Sequence, residues 1–162
     1  MSVPPMRRTR PLDLLAPLLL VGAVAYLLLG LSYASLPPFD YLLPVPVAAL
    51  AVIEVVMARR VRAAVRHEPG ARPMTAIAVA RSVALGKASS LVGSGVLGAA
   101  IALLLRVGPR AGTVTAAGHD TRVAVLLMIG SGLLVAAGLV LERAGIDPNR
   151  DRDRDAHSDD RG

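Results

Sequence analysis

The sequence predicts an all-α membrane protein, with four transmembrane helices followed by a disordered charged tail. Three observations predict it. Hydrophobic residues make up 54% of the 162 positions and charged residues only 19%, more apolar surface than a soluble domain of this size can hide. The apolar residues come in long blocks, and a helix needs about 20 residues to cross about 30 Å of hydrocarbon. The Arg residues stand between the blocks and are unevenly divided among the connections.

Residues 1–11 read as a cytoplasmic N-terminus carrying Arg7, Arg8 and Arg10. The first span covers about 12–31, with Asp13 at its edge and Pro17 in its second turn, where a missing N–H is tolerated better than at mid-helix. The Arg residues ahead of it and Ser32-Tyr33-Ala34 after it have the look of a cleaved signal, but the apolar run exceeds the 7–15 residues of a signal core, so a retained helix is expected. The second span covers about 41–58, entered through Pro44 and Pro46, which suit a helix start. The third apolar stretch runs from Thr75 to Leu105 and is too long for one membrane thickness, so its span is placed at about 86–105 and the part before it is read as an interfacial helix or a tilted extension. The fourth span, about 123–141, has no charge. Residues 12–143 thus form the transmembrane domain. In the tail, 144–162, six Asp face four Arg from Asp147 onward with almost no apolar residue, the composition of disorder.

Charge sets the expected orientation. With four spans, the N-terminus, the second loop (Arg59, Arg60, Arg62, Arg66, Arg72) and the tail (Arg143, Arg150, Arg152, Arg154, Arg161) share one side. That side holds thirteen basic residues against three on the other, Arg106, Arg110 and Arg122. The positive-inside rule then puts both termini of this multi-pass protein in the cytoplasm.

Composition also excludes chemistry. The chain has no Cys, which removes disulfides, zinc–thiolate sites, iron–sulfur clusters and thiol nucleophiles. Its three His, at 67, 119 and 157, are far apart, and His119-Asp120 alone is too small a ligand set for a metal. A net charge of +6 and a pI near 11.0 suit an anionic partner. Aromatics at 2% leave nothing for bases to stack on, so membrane lipid headgroups are expected and nucleic acid is not.

Glu54 is the one charge inside the second block, and an intramembrane carboxylate needs a partner or water. It lies about 7 Å inside the basic edge by helical rise. Lys87, with Arg81 near it, stands at similar depth on the third helix, so a structural Glu54–Lys87 ion pair is expected, with a proton or cation site as the sharper alternative. Gly86, Ser89, Ser90, Gly93, Ser94 and Gly98 form a small-residue run suited to close helix packing. On that ground Gly93→Leu is expected to lower stability more than Leu103→Ala. Arg59, Arg62 and Arg66 share one helical face, and with Arg60 and Arg72 they are the candidate contacts for anionic lipid or a protein partner. The aromatic first loop, with Tyr33, Phe39 and Tyr41, reads as an interfacial belt.

Three stretches carry a family resemblance: Leu31-Ser32-Tyr33-Ala34-Ser35-Leu36-Pro37-Pro38, Pro69-Gly70-Ala71-Arg72-Pro73, and Ala80-Arg81-Ser82-Val83-Ala84-Leu85-Gly86-Lys87-Ala88-Ser89-Ser90. With these the chain resembles the small actinobacterial membrane proteins of domain-of-unknown-function family 3180, from about Arg10 to Arg143. The resemblance implies a four-helix protein of a bacterial plasma membrane whose genes often neighbour folate-biosynthesis genes. It implies no activity, cofactor or catalytic residue. The expected function is a non-enzymatic accessory or scaffold component docking partners or anionic lipid. The alternative is a small oligomeric transporter using Glu54 as its coupling carboxylate.

Overall fold

A computed structural model of the chain describes residues 11–33, 37, 39–66, 68–70, 73–112 and 115–145. The N-terminal Arg cluster, Arg72 and the charged tail lie outside the described residues. Among those described, all regular structure is helical: α1 Pro11–Ser32, α2 Pro44–Val65, α3 Ala76–Val107 and α4 Thr115–Ala144, with a 3-10 turn Gly108–Arg110 between the last two.

Local chemistry starts two of the helices. Asp40 bends the chain into α2: its carboxylate accepts from Leu42 N at 3.0 Å and its carbonyl from Leu43 N at 3.1 Å. Pro44 and Pro46 then fall in the first turn, where no N–H is missed. Thr75 caps α3, its Oγ1 accepting from Ala78 N at 3.3 Å.

One of two sequence alternatives is selected at α3, and one boundary differs at α4. From Thr75 onward nothing interrupts α3, so the segment before Gly86 is an extension of one 32-residue helix, about 48 Å long, rather than a separate interfacial helix. Helix α4 begins at Thr115, well ahead of the apolar block, because His119, Asp120 and Arg122 lie on its first turns rather than in a loop.

The expectation of four apolar spans is corrected to three. Helices α1, α3 and α4 are long and apolar enough to cross a membrane, and α2 is not. Any 18-residue stretch within Pro44–Val65 contains Glu54 together with Arg59 and Arg60. The first three residues of the apolar block, Tyr41 to Leu43, precede the helix and add nothing to its span.

The helices pack in the spatial order α1–α3–α4–α2, and α2 only grazes α3. Neighbours along the row are set by glycine. Gly22 lies against Gly98, and Gly95 against Val21, so α1 and α3 run parallel. Gly86 lies against Gly138, and Gly93 against Leu134 and Val135, so α4 runs antiparallel to α3. Gly130 meets Pro44 and Ala48, while Ala58 and Val61 pack with Leu141 and Ala144, so α2 and α4 run parallel.

The small-residue run of α3 is buried throughout, at Gly86, Ser89, Ser90, Gly93, Ser94 and Gly98. It serves two neighbours, α4 at Gly86 and Gly93 and α1 at Gly98. Buried serine hydroxyls bond back to carbonyls of their own helix: Ser82 to Ala78, Ser90 to Lys87, Ser94 to Leu91 and Ser131 to Leu127. That satisfies them without a partner on the facing helix. Leu103 is no peripheral residue. It is buried with Leu29, Val107, Ala117 and Ala124, so Leu103→Ala opens a core cavity rather than trimming a lipid-facing side chain.

Candidate functional site

Two polar constellations stand out, one within the bundle and one at its end. The inner one is built on α2. Its inward seam runs Pro44, Ala51, Glu54, Ala58, Val61, a three-four spacing that turns one stripe toward α4. Small side chains at Ala51 and Ala58 let α4 approach, and the side chain between them is a carboxylate. Glu54 is 0% exposed, and neither Oε atom has a hydrogen-bond partner. The Ser89 hydroxyl of α3 is its polar neighbour.

The expected Glu54–Lys87 ion pair is not formed. Helix α3 turns Gly86, Ser89 and Ser90 inward, and Lys87 and Arg81 sit on its exposed side. Similar depth along the axis was legible from the sequence, whereas the side of α3 on which Lys87 falls depends on which face meets α4.

The neutral Ser89 hydroxyl beside the Glu54 carboxyl does not offset the cost of burying it. Removing it is therefore expected to help the fold. Glu54→Leu should raise the melting temperature in detergent, and a fall would mean that a partner holds the carboxylate after all.

The outer constellation joins residues that looked unrelated in sequence. Asp120, 2% exposed on the second turn of α4, accepts from Tyr33 Oη at 2.6 Å and from Phe39 N at 3.0 Å. His119 binds the Phe39 carbonyl through Nε2 at 2.7 Å, which makes that nitrogen the donor. Its ring stands 4.3 Å from that of Tyr41. Arg106, near the end of α3, donates to Gly30 O of α1 at 3.2 Å, supplying a cation and a donor to the carbonyl end of that helix. The first loop is thereby latched onto α4. Burial, then the hydrogen bond to Asp120, pushes the Tyr33 hydroxyl up to about 12. The sequence reading separated these residues into an aromatic belt and a lone His-Asp pair. The signal it passed over was a Tyr at the end of the first predicted helix and an Asp ahead of the fourth, which up-and-down spans bring to the same end.

The basic residues complete the picture. Arg59, Arg60, Arg62 and Arg66 are all exposed over the last turns of α2. The parallel run of α2 and α4 brings them to the end where exposed Arg143 closes α4 and where α3 begins. No group of three or more potential His, Cys, Asp or Glu metal ligands occurs among the described residues.

A family model described as a protein of unknown function, DUF3180, matches residues 14–148. No curated protein and no solved structure matches the chain.

Proposed function

The chain belongs to the DUF3180 family, described as a protein of unknown function, and we propose, from its own charge distribution, that it is a non-enzymatic accessory component of the bacterial plasma membrane, held on anionic lipid through a cytoplasmic basic end. The observation that carries this reading is the cluster of exposed Arg59, Arg60, Arg62 and Arg66 at one end of the bundle, beside Arg143. Each such residue near an anionic surface contributes about 1 kcal/mol. The opposite end is differently employed, since Arg106 is bonded to Gly30 and Arg110 to Arg106 O.

Helix α2 crosses the membrane in this reading, but as part of the bundle rather than by its own hydropathy. Two features support that. Helices α1 and α3 are parallel, so the chain between them has to return to the side it left. The outward side of α2 is also apolar, with Leu50, Val52, Ile53, Val55 and Val56 exposed, while Glu54 points in. The termini then share the cytoplasmic side with the second loop. A non-enzymatic role fits the spending of polar groups on structure: Ser82, Ser90, Ser94 and Ser131 bond their own helices, and His119 binds the first loop.

Two measurements test the proposal. A reporter fused after Gly70 is expected to read cytoplasmic and one after Gly112 external; an external reading at Gly70 overturns the orientation. Native mass spectrometry from mixed micelles should show phosphatidylglycerol retained over phosphatidylcholine, with retention lost when Arg59, Arg62 and Arg66 are changed together to Gln. Equal retention by the triple variant overturns the lipid contact.

A further inference from the structure

We infer that the Glu54 carboxylate is a binding site for one monovalent cation, a proton or an alkali ion, enclosed by α2, α3 and α4. This goes beyond the lipid-anchoring reading and does not depend on it. The inference starts from what the bundle spends on this position. Glu54 is among the largest fully buried side chains of the protein, in a seam otherwise made of Pro, Ala and Val. Both oxygens are shut from solvent and lack a hydrogen-bond donor. A carboxylate so placed is uncompensated until one positive charge reaches it.

No side chain on the facing helices supplies that charge at its level. Helix α4 carries no charged residue from Val123 to Leu141, and α3 none from Ala88 to Leu105. The flanking charges are Glu142, itself an acid buried just past Leu141, and Lys87, on the exposed side of α3. The Ser89 hydroxyl adjoins the carboxyl and offers either a proton or a lone pair. A neutral hydroxyl completes a cation site or solvates a carboxylic acid, but does not neutralise a carboxylate. The occupant has to be small, because Ala51 and Ala58 of the same seam are tightly packed on α4.

Access is short. Glu54 lies five residues before Arg59, about 7 Å along the axis from the basic end. The α2–α3 contact flanking it is the slightest between neighbouring helices, so a small ion entering from that end separates few packed atoms.

Modification of the wild-type protein by an apolar carbodiimide tests this directly. In phosphatidylcholine vesicles, dicyclohexylcarbodiimide reacts with a protonated carboxyl in an apolar site. The acid O–H adds across one C=N bond, and the O-acylisourea rearranges to a stable N-acylurea. No group leaves, so the modified peptide gains the mass of the whole reagent. The adduct is expected on Glu54, several-fold above exposed Glu68, and falling as the buffer is taken from mildly acidic to alkaline. Sodium or potassium chloride, compared with choline chloride at equal ionic strength, separates the two occupants. Protection by the alkali salt assigns an alkali ion, and indifference to it assigns the proton. The site is overturned by absence of adduct at Glu54 across the pH range, by labelling no greater than at Glu68, or by equal labelling with a water-soluble carbodiimide. Peptide mapping is done on the native chain, so the result does not depend on a variant folding. Failure here leaves the lipid retention experiment untouched.

Discussion

Gly138→Leu is expected to abolish the packed bundle. At the crossing of α3 and α4 the backbones touch, and even a methyl group at Gly138 would stand 2.6 Å from Gly86 O and 2.9 Å from Ser90 N. Both obstacles are main chain, which cannot rotate aside as a long side chain would. Relief requires the helices to part, and parting them opens the interface from Gly93 to Gly86 together with the cover over Glu54. Overpacking a well-packed core by far less costs 1–3 kcal/mol, so a branched four-carbon side chain here should cost at least about 3 kcal/mol. Gly132→Ala is the internal control, because nothing lies within 4 Å of the added carbon. It should be neutral or stabilising by up to about 1 kcal/mol, the helix preference for Ala over Gly. Thermal melting in detergent reads both, and equal melting temperatures for the two variants would refute a Gly86–Gly138 contact.

Asp120→Ala is expected to release the first loop. The substitution strips Tyr33 Oη and Phe39 N of their acceptor in one step. Hydrogen bonds to a charged group are worth about 1.5–3 kcal/mol each, and water at the helix end recovers part of that, so a loss of about 2–4 kcal/mol is expected. Amide exchange at Phe39 is the local readout and should accelerate by at least tenfold. Unchanged exchange there would show that the loop is held by something other than Asp120. The latch also has an alkaline limit. The Tyr33 hydroxyl is raised from 10.0 to about 12 in the folded chain, so its neutral form is favoured by folding. Its contribution is complete below the unfolded value of 10.0 and disappears as pH rises through about 12, when a phenolate would face the Asp120 carboxylate. Tyr33→Phe should remove that alkaline loss.

Block length and hydropathy announced the helical class, because an apolar run of about 20 residues has few other uses. They also announced α1 and the apolar part of α4, where nothing competes with the pattern. The small residues of α3 were legible as packing surface from their spacing, though not that they divide between α4 and α1, since spacing does not say how many neighbours a helix has. Glu54 could be singled out as a lone charge in an apolar block. Its isolation could not, because that depends on the rotation of α3, which turns Ser89 inward and Lys87 outward. The latch was hidden for a different reason. Tyr33 and Asp120 are 87 positions apart, and only the placing of the α1 and α4 ends at one level brings them within 2.6 Å.

The spatial order α1–α3–α4–α2 also bears on how the chain is made. Helices consecutive in sequence at the N-terminal side are not partners: α1 docks on α3, and α2 on α4. During synthesis, which delivers the N-terminal elements first, α1 and α2 therefore emerge before either has a surface to settle on. Helix α1 is apolar enough to wait in lipid alone. Helix α2 is not, and its Glu54 stays uncovered until the last helix of the bundle leaves the ribosome. A chain stopped before α4 would present an exposed carboxylate in a weakly hydrophobic segment, a ready mark of incompleteness for membrane quality control.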